Sequence, residues 1–153
     1  MNASEVNVAA REFLQVVLYA PVDRPPEATL RAALDRLAMA SNYEAPFPDD
    51  RTWPEPEVHT YNDIRAIVGA RFPDLGYYNI ALEIGDHIGA SELGLGDAID
   101  DLVDITEELL AVVWRLEHTS PEDALWHFQF GFESHWGDHL RGLQLYLHRR
   151  AHG

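Results

Sequence analysis

The apolar residues between positions 97 and 150 constrain the fold most, because their spacing predicts two long helices joined by a tight turn. In the first segment a stripe of positions recurs at steps of three and four residues, which is the period of an α-helix. The stripe consists of Ile99, Leu102, Thr106, Leu109, Val113 and Leu116. A second amphipathic segment follows Thr119-Ser120-Pro121. We therefore predict a helical hairpin with arms at residues 97–118 and 122–150.

The first arm is expected to lie at the centre of the molecule. Its apolar arc covers roughly half of the helix circumference, which suits contact with two or more neighbouring helices. Amphipathic periods also cover residues 3–20, 26–41 and 60–72, and a chain of this length usually forms one domain. We predict an all-α fold in which residues 1–153 form a single-domain bundle of about five helices.

Two connecting segments are expected to differ from the helices. Residues 43–58 contain four prolines, which exclude a regular element, and we expect Tyr43, Phe47 and Trp53 to pack this loop onto the helices. The pattern of residues 75–84 fits an extended segment or a short helix, and both alternatives stay open. The four glycines that follow predict a linker into the helical hairpin.

The charge of the chain restricts its partners. Its net charge is −15, from 26 acidic residues against 11 basic residues that are all arginine. Such a field repels phosphate backbones, so we expect no nucleic-acid partner, whereas a basic protein or a bound cation is compatible with it. The sequence has no cysteine, which excludes thiolate chemistry and cysteine zinc sites. Without a signal peptide or a membrane-spanning apolar run, we expect a cytoplasmic protein with no membrane partner.

The polar side of the first arm is acidic. Asp97, Asp101, Asp104 and Glu108 fall within about 60° of one another on a helical wheel, and we refer to these four residues as the acidic face. Acids near a helix N-terminus interact favourably with the helix dipole. The acidic face is therefore interpreted either as a solvated surface or as a site for a cation or a basic partner.

A histidine pair on the second arm offers a way to choose between these interpretations. His135 and His139 are four residues apart, which sets two imidazoles side by side as a metal requires. If this edge meets the acidic face, Asp101, Asp104, His135 and His139 would form a mixed oxygen and nitrogen site for a divalent metal such as zinc, manganese or iron. Otherwise the histidines would only bond to carboxylates.

The second arm also carries polar residues on its apolar side. Gln129 and Glu133 lie within the apolar arc, where a buried carboxylate needs a partner, and we expect an arginine from another helix to pair with Glu133. Tyr77, Glu133 and Trp136 are the candidate binding residues of a non-enzymatic interaction or accessory module, the function that we favour from sequence. The alternative is a metal-dependent enzyme with its Asp/His site between the two arms.

Catalytic residues are unknown at this stage. Ser134 directly precedes His135 on one helix, where their side chains diverge by about 100°. All-helical nucleotide pyrophosphohydrolases hold magnesium with paired acidic clusters, and only half of that pattern is present, in Asp101, Asp104 and Glu107. No second acidic helix with the same spacing accompanies them.

Two motifs carry a family resemblance. They are D-D-L-V-D-I at residues 100–105 and, about twenty residues later, A-L-W at 124–126 with F-G-F-E-S-H-W-G-D-H at 130–139. Over residues 97–147 the chain resembles the bacterial domain family DUF5063, although Thr106 stands where that family is expected to have a tyrosine. The resemblance implies an all-helical bundle. The family has no assigned activity, so the resemblance implies no catalytic residues.

Overall fold

The structure, a computed structural model, describes residues 2–41, 47 and 49–153. Within these ranges the chain forms five helical rods and one β-hairpin. In chain order the elements are α1 (Ala3–Leu14) continued by a π-helical turn (Gln15–Tyr19), α2 (Glu27–Ala40), α3 (Tyr61–Arg71), β1 (Tyr77–Ala81), β2 (Leu93–Asp97), α4 (Ala98–His118), α5 (Pro121–Gly131), a second π-helical turn (Phe132–Trp136) and α6 (Gly137–His152). The helical single-domain bundle is confirmed, with a small hairpin added to it.

The ends of the central helices follow from local sequence. The Asp97 side chain accepts hydrogen bonds from the N–H groups of Ile99 and Asp100 and caps α4. Ser120 caps α5 in the same way, and Pro121 occupies the first turn of that helix, where its missing N–H costs little. The predicted turn at 119–121 is confirmed.

Helix α4 lies at the centre of the bundle. It packs against α1, α3, α5 and α6, and Leu102, Val103, Ile105 and Leu109 on it are fully buried. The half-circumference apolar arc thus has the several neighbours that its width predicts. Among the described residues no helix combines the length and the apolar character needed to cross a membrane.

The π-helical turn in the second arm changes which side chains face the core. It adds a residue to one helical turn, so Phe128 and Trp136, eight residues apart, both point inward with ring centroids 5.2 Å apart. Glu133 is exposed instead of buried, and its partner is Gln129, whose Nε2 donates to it at 3.0 Å. The expected arginine partner of Glu133 was wrong, because the wheel assumed an unbroken α-helix.

The segment before α4 is a β-hairpin. Strands β1 and β2 pair antiparallel, with Tyr77 opposite Asp97 and Ala81 opposite Leu93. The predicted glycine linker is wrong for its last part, since Gly96 lies within β2. A Cβ at Gly96 would lie 2.5 Å from the ring of Tyr78. The absence of a side chain at Gly96 therefore leaves space for the Tyr78 ring, which lies over this residue of the neighbouring strand.

Charge anchors the described part of the proline loop. Glu55 accepts a hydrogen bond from the buried Arg115 of α4 at 2.8 Å, and the same guanidinium bonds to Asp123 at 3.0 Å. Of the rings predicted to pack this loop, Phe47 is 94% exposed, so that prediction is wrong for Phe47. Trp53 is half-buried and donates to Asp49 of the loop itself at 3.2 Å, and Tyr43 lies outside the described residues.

Candidate metal centre

The acidic face of α4 lies against the histidine pair. Asp101 is buried, and Asp104 and Glu108 are half-buried, because the π-helical turn and the start of α6 cover this side of α4. The sequence left open whether these two edges meet, since that depends on how the arms roll about their axes. In the structure the candidate residues Asp101, Asp104, His135 and His139 are brought together.

His139 lies between two carboxylates. Its Nδ1 is 2.7 Å from Asp101 Oδ1, and its Nε2 is 3.2 Å from Asp104 Oδ2. The hydrogen bond to Asp101 raises the pKa of His139, against the opposing effect of burial. A carboxylate at each ring nitrogen thus fixes the orientation of the His139 ring, with Nδ1 facing Asp101 and Nε2 facing Asp104.

His135 repeats this arrangement with different acids. Its Nδ1 is 2.8 Å from Glu108 Oε1, and its Nε2 is 4.0 Å from the same Asp104 Oδ2. The two imidazole rings are nearly perpendicular, at 84°, with centroids 5.1 Å apart. Both histidines therefore direct Nε2 towards one carboxylate oxygen, while a second carboxylate holds each Nδ1.

We define Asp104, His135 and His139 as the candidate metal centre. One ligand atom from each residue lies within 4.8 Å of those of the other two. A tetrahedral ion with bonds of about 2.0–2.2 Å needs its ligand atoms about 3.3–3.6 Å apart, so ligand atoms within 4.8 Å of one another need to approach by no more than about 1.5 Å. The His135 side chain is 47% exposed, which leaves one side of the centre open to water.

The acids around the centre have different roles. Burial, and next the charge of Asp100, raise the pKa of Asp104. Asp101 stands behind His139 rather than among the ligand atoms, because its Oδ1 faces that ring and its Oδ2 accepts from the Tyr78 hydroxyl at 2.5 Å. If the centre held a metal, Asp101 would be an outer carboxylate that orients His139.

Sequence reasoning missed two residues of this arrangement. Glu108 was already on the acidic face, four residues from Asp104, so the helical wheel contained the signal. Tyr78 gave no comparable signal, because its position depends on the β-hairpin. Its ring stacks on Tyr146 with centroids 4.8 Å apart, and burial, followed by the hydrogen bond to Asp101, raises the pKa of Tyr78.

The three candidate binding residues are not alike. Tyr77 and Glu133 are exposed, whereas Trp136 has no exposed surface and packs edge-on against Phe128 and Phe132. The ring of Trp136 is part of the core and is not available to a partner in this fold. The spacing of Trp136 with Phe132, Leu140 and Leu143 already predicts a position on the apolar side of the second arm, and its burial confirms that position.

A groove elsewhere on the molecule is unrelated to this centre. It has a volume of about 790 Å³ and lies between α1 and α2, where Val8, Val16 and Ala32 contribute apolar surface. None of its lining residues belongs to the candidate metal centre. The candidate metal centre is therefore separate from this groove.

The fold and the site define the class of protein: a helical bundle with a small β-hairpin and a cluster of two histidines and acids between its last two rods. Residues 26–152 match the model of a family described as a domain of unknown function, DUF5063. The chain therefore belongs to the DUF5063 family, and the resemblance noted from its motifs is confirmed.

A solved structure shares this fold. The crystal structure of protein BF1032 from Bacteroides fragilis, a structural genomics target, matches 95% of this chain and 89% of that chain. The TM-score is 0.65 and the sequence identity is 21%, so the likeness shows the fold alone. No curated protein matches the chain.

Proposed function

We propose that this protein binds a divalent transition metal through Asp104, His135 and His139. One observation carries the proposal: both Nε2 atoms face the same Asp104 oxygen, while Asp101 and Glu108 hold the two Nδ1 atoms. Histidine ligands of metals commonly donate their other N–H to a carboxylate, which fixes the ring and raises its basicity. Here both histidines have that support.

The local charge also favours a cation. The acids Asp100, Asp101, Asp104 and Glu108 lie on one stretch of α4, and the second arm has no lysine or arginine between residues 122 and 140. Arg65, the arginine nearest the start of α4, donates to Asp97 at 2.9 Å. A divalent ion would offset this excess of negative charge.

The ligand set suggests chemistry as well as binding. Three protein ligands with one open side are typical of catalytic zinc sites, and two histidines with one carboxylate also suit iron(II). A bound ion would supply Lewis acidity and an activated water. The protein residues would orient the ligands. We therefore favour the metal-dependent enzyme over the interaction module as the function of this face.

Isothermal titration calorimetry tests the proposal. Protein stripped with EDTA is titrated with zinc, manganese, magnesium and calcium, each alone. We expect one site for zinc or manganese and a loss of binding in His139→Ala and His135→Ala, with thermal melts in EDTA to verify that each variant folds.

Helix α6 provides a matched control. His148 and His152 have the same spacing of four residues, are exposed, and have ring centroids 4.9 Å apart, but no carboxylate among the described residues bonds to them. We expect His148→Ala to bind zinc as the wild type does. Binding that is lost in His148→Ala and kept in His139→Ala, or no binding at all, would overturn the proposal.

A further inference from the structure

The outward side of the β-hairpin is apolar, which is unusual for a small antiparallel sheet. Tyr78 and Ile80 of β1 are half-buried, Tyr78 packs against the helical core, and the alternate residues of β1 are exposed. We define the outer face as Tyr77, Asn79, Ala81, Leu93 and Leu95. Asp97, which pairs with Tyr77 at the helical end of the hairpin, caps α4 and bonds to Arg65. The solvent side of an antiparallel sheet is normally polar, so this face needs another explanation.

The tip of the hairpin extends the apolar surface. Residues 81–90 are all exposed. The large apolar side chains of the outer face and tip are 57–85% exposed, and they are Tyr77, Leu82, Ile84, Ile88, Leu93 and Leu95. Concentrated exposed apolar residues mark surfaces that bind another molecule.

The charges of this region select the partner. Glu83, Asp86 and Glu92 lie on the hairpin, and the sequence contains no lysine or arginine between Arg71 and Arg115. A second copy of this chain would bring two acidic surfaces and two net charges of −15 together, which electrostatic repulsion opposes. An apolar segment that carries lysine or arginine complements both features of the surface.

We propose that the outer face and tip of the β-hairpin dock a basic, apolar polypeptide segment from another protein. An extended segment suits the surface best, because β1 and β2 pair only with each other among the described residues. Each strand therefore leaves a hydrogen-bonding edge to which a further strand can add. This inference does not depend on metal binding.

Fluorescence anisotropy with synthetic peptides tests the inference. The probe is a labelled peptide of alternating valine and lysine. Its comparison peptides alternate valine with glutamate, or serine with lysine. We expect the valine–lysine peptide to bind and both comparison peptides to bind at least about tenfold more weakly at physiological salt, since each lacks one of the two complementary features.

Substitutions that leave the net charge unchanged can show whether the peptide binds at the β-hairpin. The double substitution Ile84→Ser and Ile88→Ser should weaken binding about tenfold through lost apolar contact, and Leu93→Ser with Leu95→Ser should do the same. Val8→Ser with Met39→Ser removes two exposed apolar side chains from α1 and α2 and should leave binding unchanged. Circular dichroism verifies that each variant is folded.

Three results would overturn the inference. Equal binding of the serine–lysine peptide would mean that charge alone is recognised. Unchanged affinity in both hairpin variants would place the site elsewhere. A concentration-dependent dimer in analytical ultracentrifugation, abolished by Leu93→Ser with Leu95→Ser, would assign the surface to a second copy of this chain.

Discussion

Asp101 Oδ1 lies 2.7 Å from Nδ1 of His139, so a buried carboxylate of the central helix sets the orientation of an imidazole on the second arm. The other oxygen of Asp101 accepts from Tyr78. The β-hairpin, the central helix and the histidine pair are thereby connected through one side chain. The orientation of His139 therefore depends on the packing of all three elements.

Asp101→Asn should weaken zinc binding by about 10–100-fold, the usual effect of losing an outer carboxylate. Asp104→Asn should weaken it further, because it removes a ligand. Calorimetry measures both, and Asp63→Asn removes the same charge from an exposed position on α3 as a control. Equal affinities in Asp101→Asn and the wild type would contradict the outer role of Asp101.

Tyr78→Phe should lower the free energy of unfolding by about 1–3 kcal/mol, because the hydroxyl donates to a buried carboxylate. Urea denaturation measures the change. Tyr77→Phe is the matched control, since the neighbouring tyrosine is exposed and should lose nothing. If both variants were as stable as the wild type, the bond to Asp101 would contribute no stability.

Gly96→Ala should destabilise the protein by about 1–3 kcal/mol through overpacking. The new Cβ would lie 2.5 Å from the Tyr78 ring, whereas a Cβ at Gly85 would meet nothing within 4 Å. Gly85→Ala should therefore be close to neutral in the same urea experiment. An unchanged free energy of unfolding in Gly96→Ala would mean that the Tyr78 ring does not lie over Gly96.

The bond between Glu27 and Arg150 should make stability depend on pH. Two hydrogen bonds of 2.8 and 3.0 Å from Arg150 lower the pKa of Glu27 from its ordinary value of 4.5. A carboxyl group with a lowered pKa in the folded state stabilises the fold at pH values above its ordinary pKa. This contribution is lost as the pH falls through the lowered pKa. It connects α2 to the C-terminal helix.

Thermal melts of the wild type and Glu27→Gln measure that contribution. The wild type should be more stable at pH 7 by no more than about 1 kcal/mol, because the pair is partly exposed. The difference should disappear as pH is lowered well below 4.5. A difference that stays constant down to low pH would show that it does not come from the charge of Glu27.

Local sequence patterns were sufficient to predict the ends and the buried faces of the central helices. Asp97 and Ser120 cap α4 and α5 with their own side chains, and the three- and four-residue period of α4 assigns its buried face. These properties depend on residues that are close together in the sequence, so the amino-acid sequence alone is enough to predict them. The spacing of His135 and His139 likewise predicted adjacent rings.

The errors arose where distant or irregular structure decides the outcome. The π-helical turn rotates Glu133 outward, whereas the helical wheel assumes an unbroken α-helix and placed Glu133 within the apolar arc. The contact of Tyr78 with Asp101 depends on the register of β1 with β2 and on the packing of the hairpin against α6. The meeting of the acidic face with the histidines was open for a similar reason, since the roll of packed helices is a property of the whole core.

Anomalous scattering at the zinc edge, from a crystal of the protein grown with one molar equivalent of zinc, would show whether the ion occupies the candidate metal centre. We expect one strong peak about 2.0–2.2 Å from Nε2 of His135, Nε2 of His139 and a carboxylate oxygen of Asp104. The absence of density there, or a peak at His148 and His152 instead, would contradict metal binding at this centre.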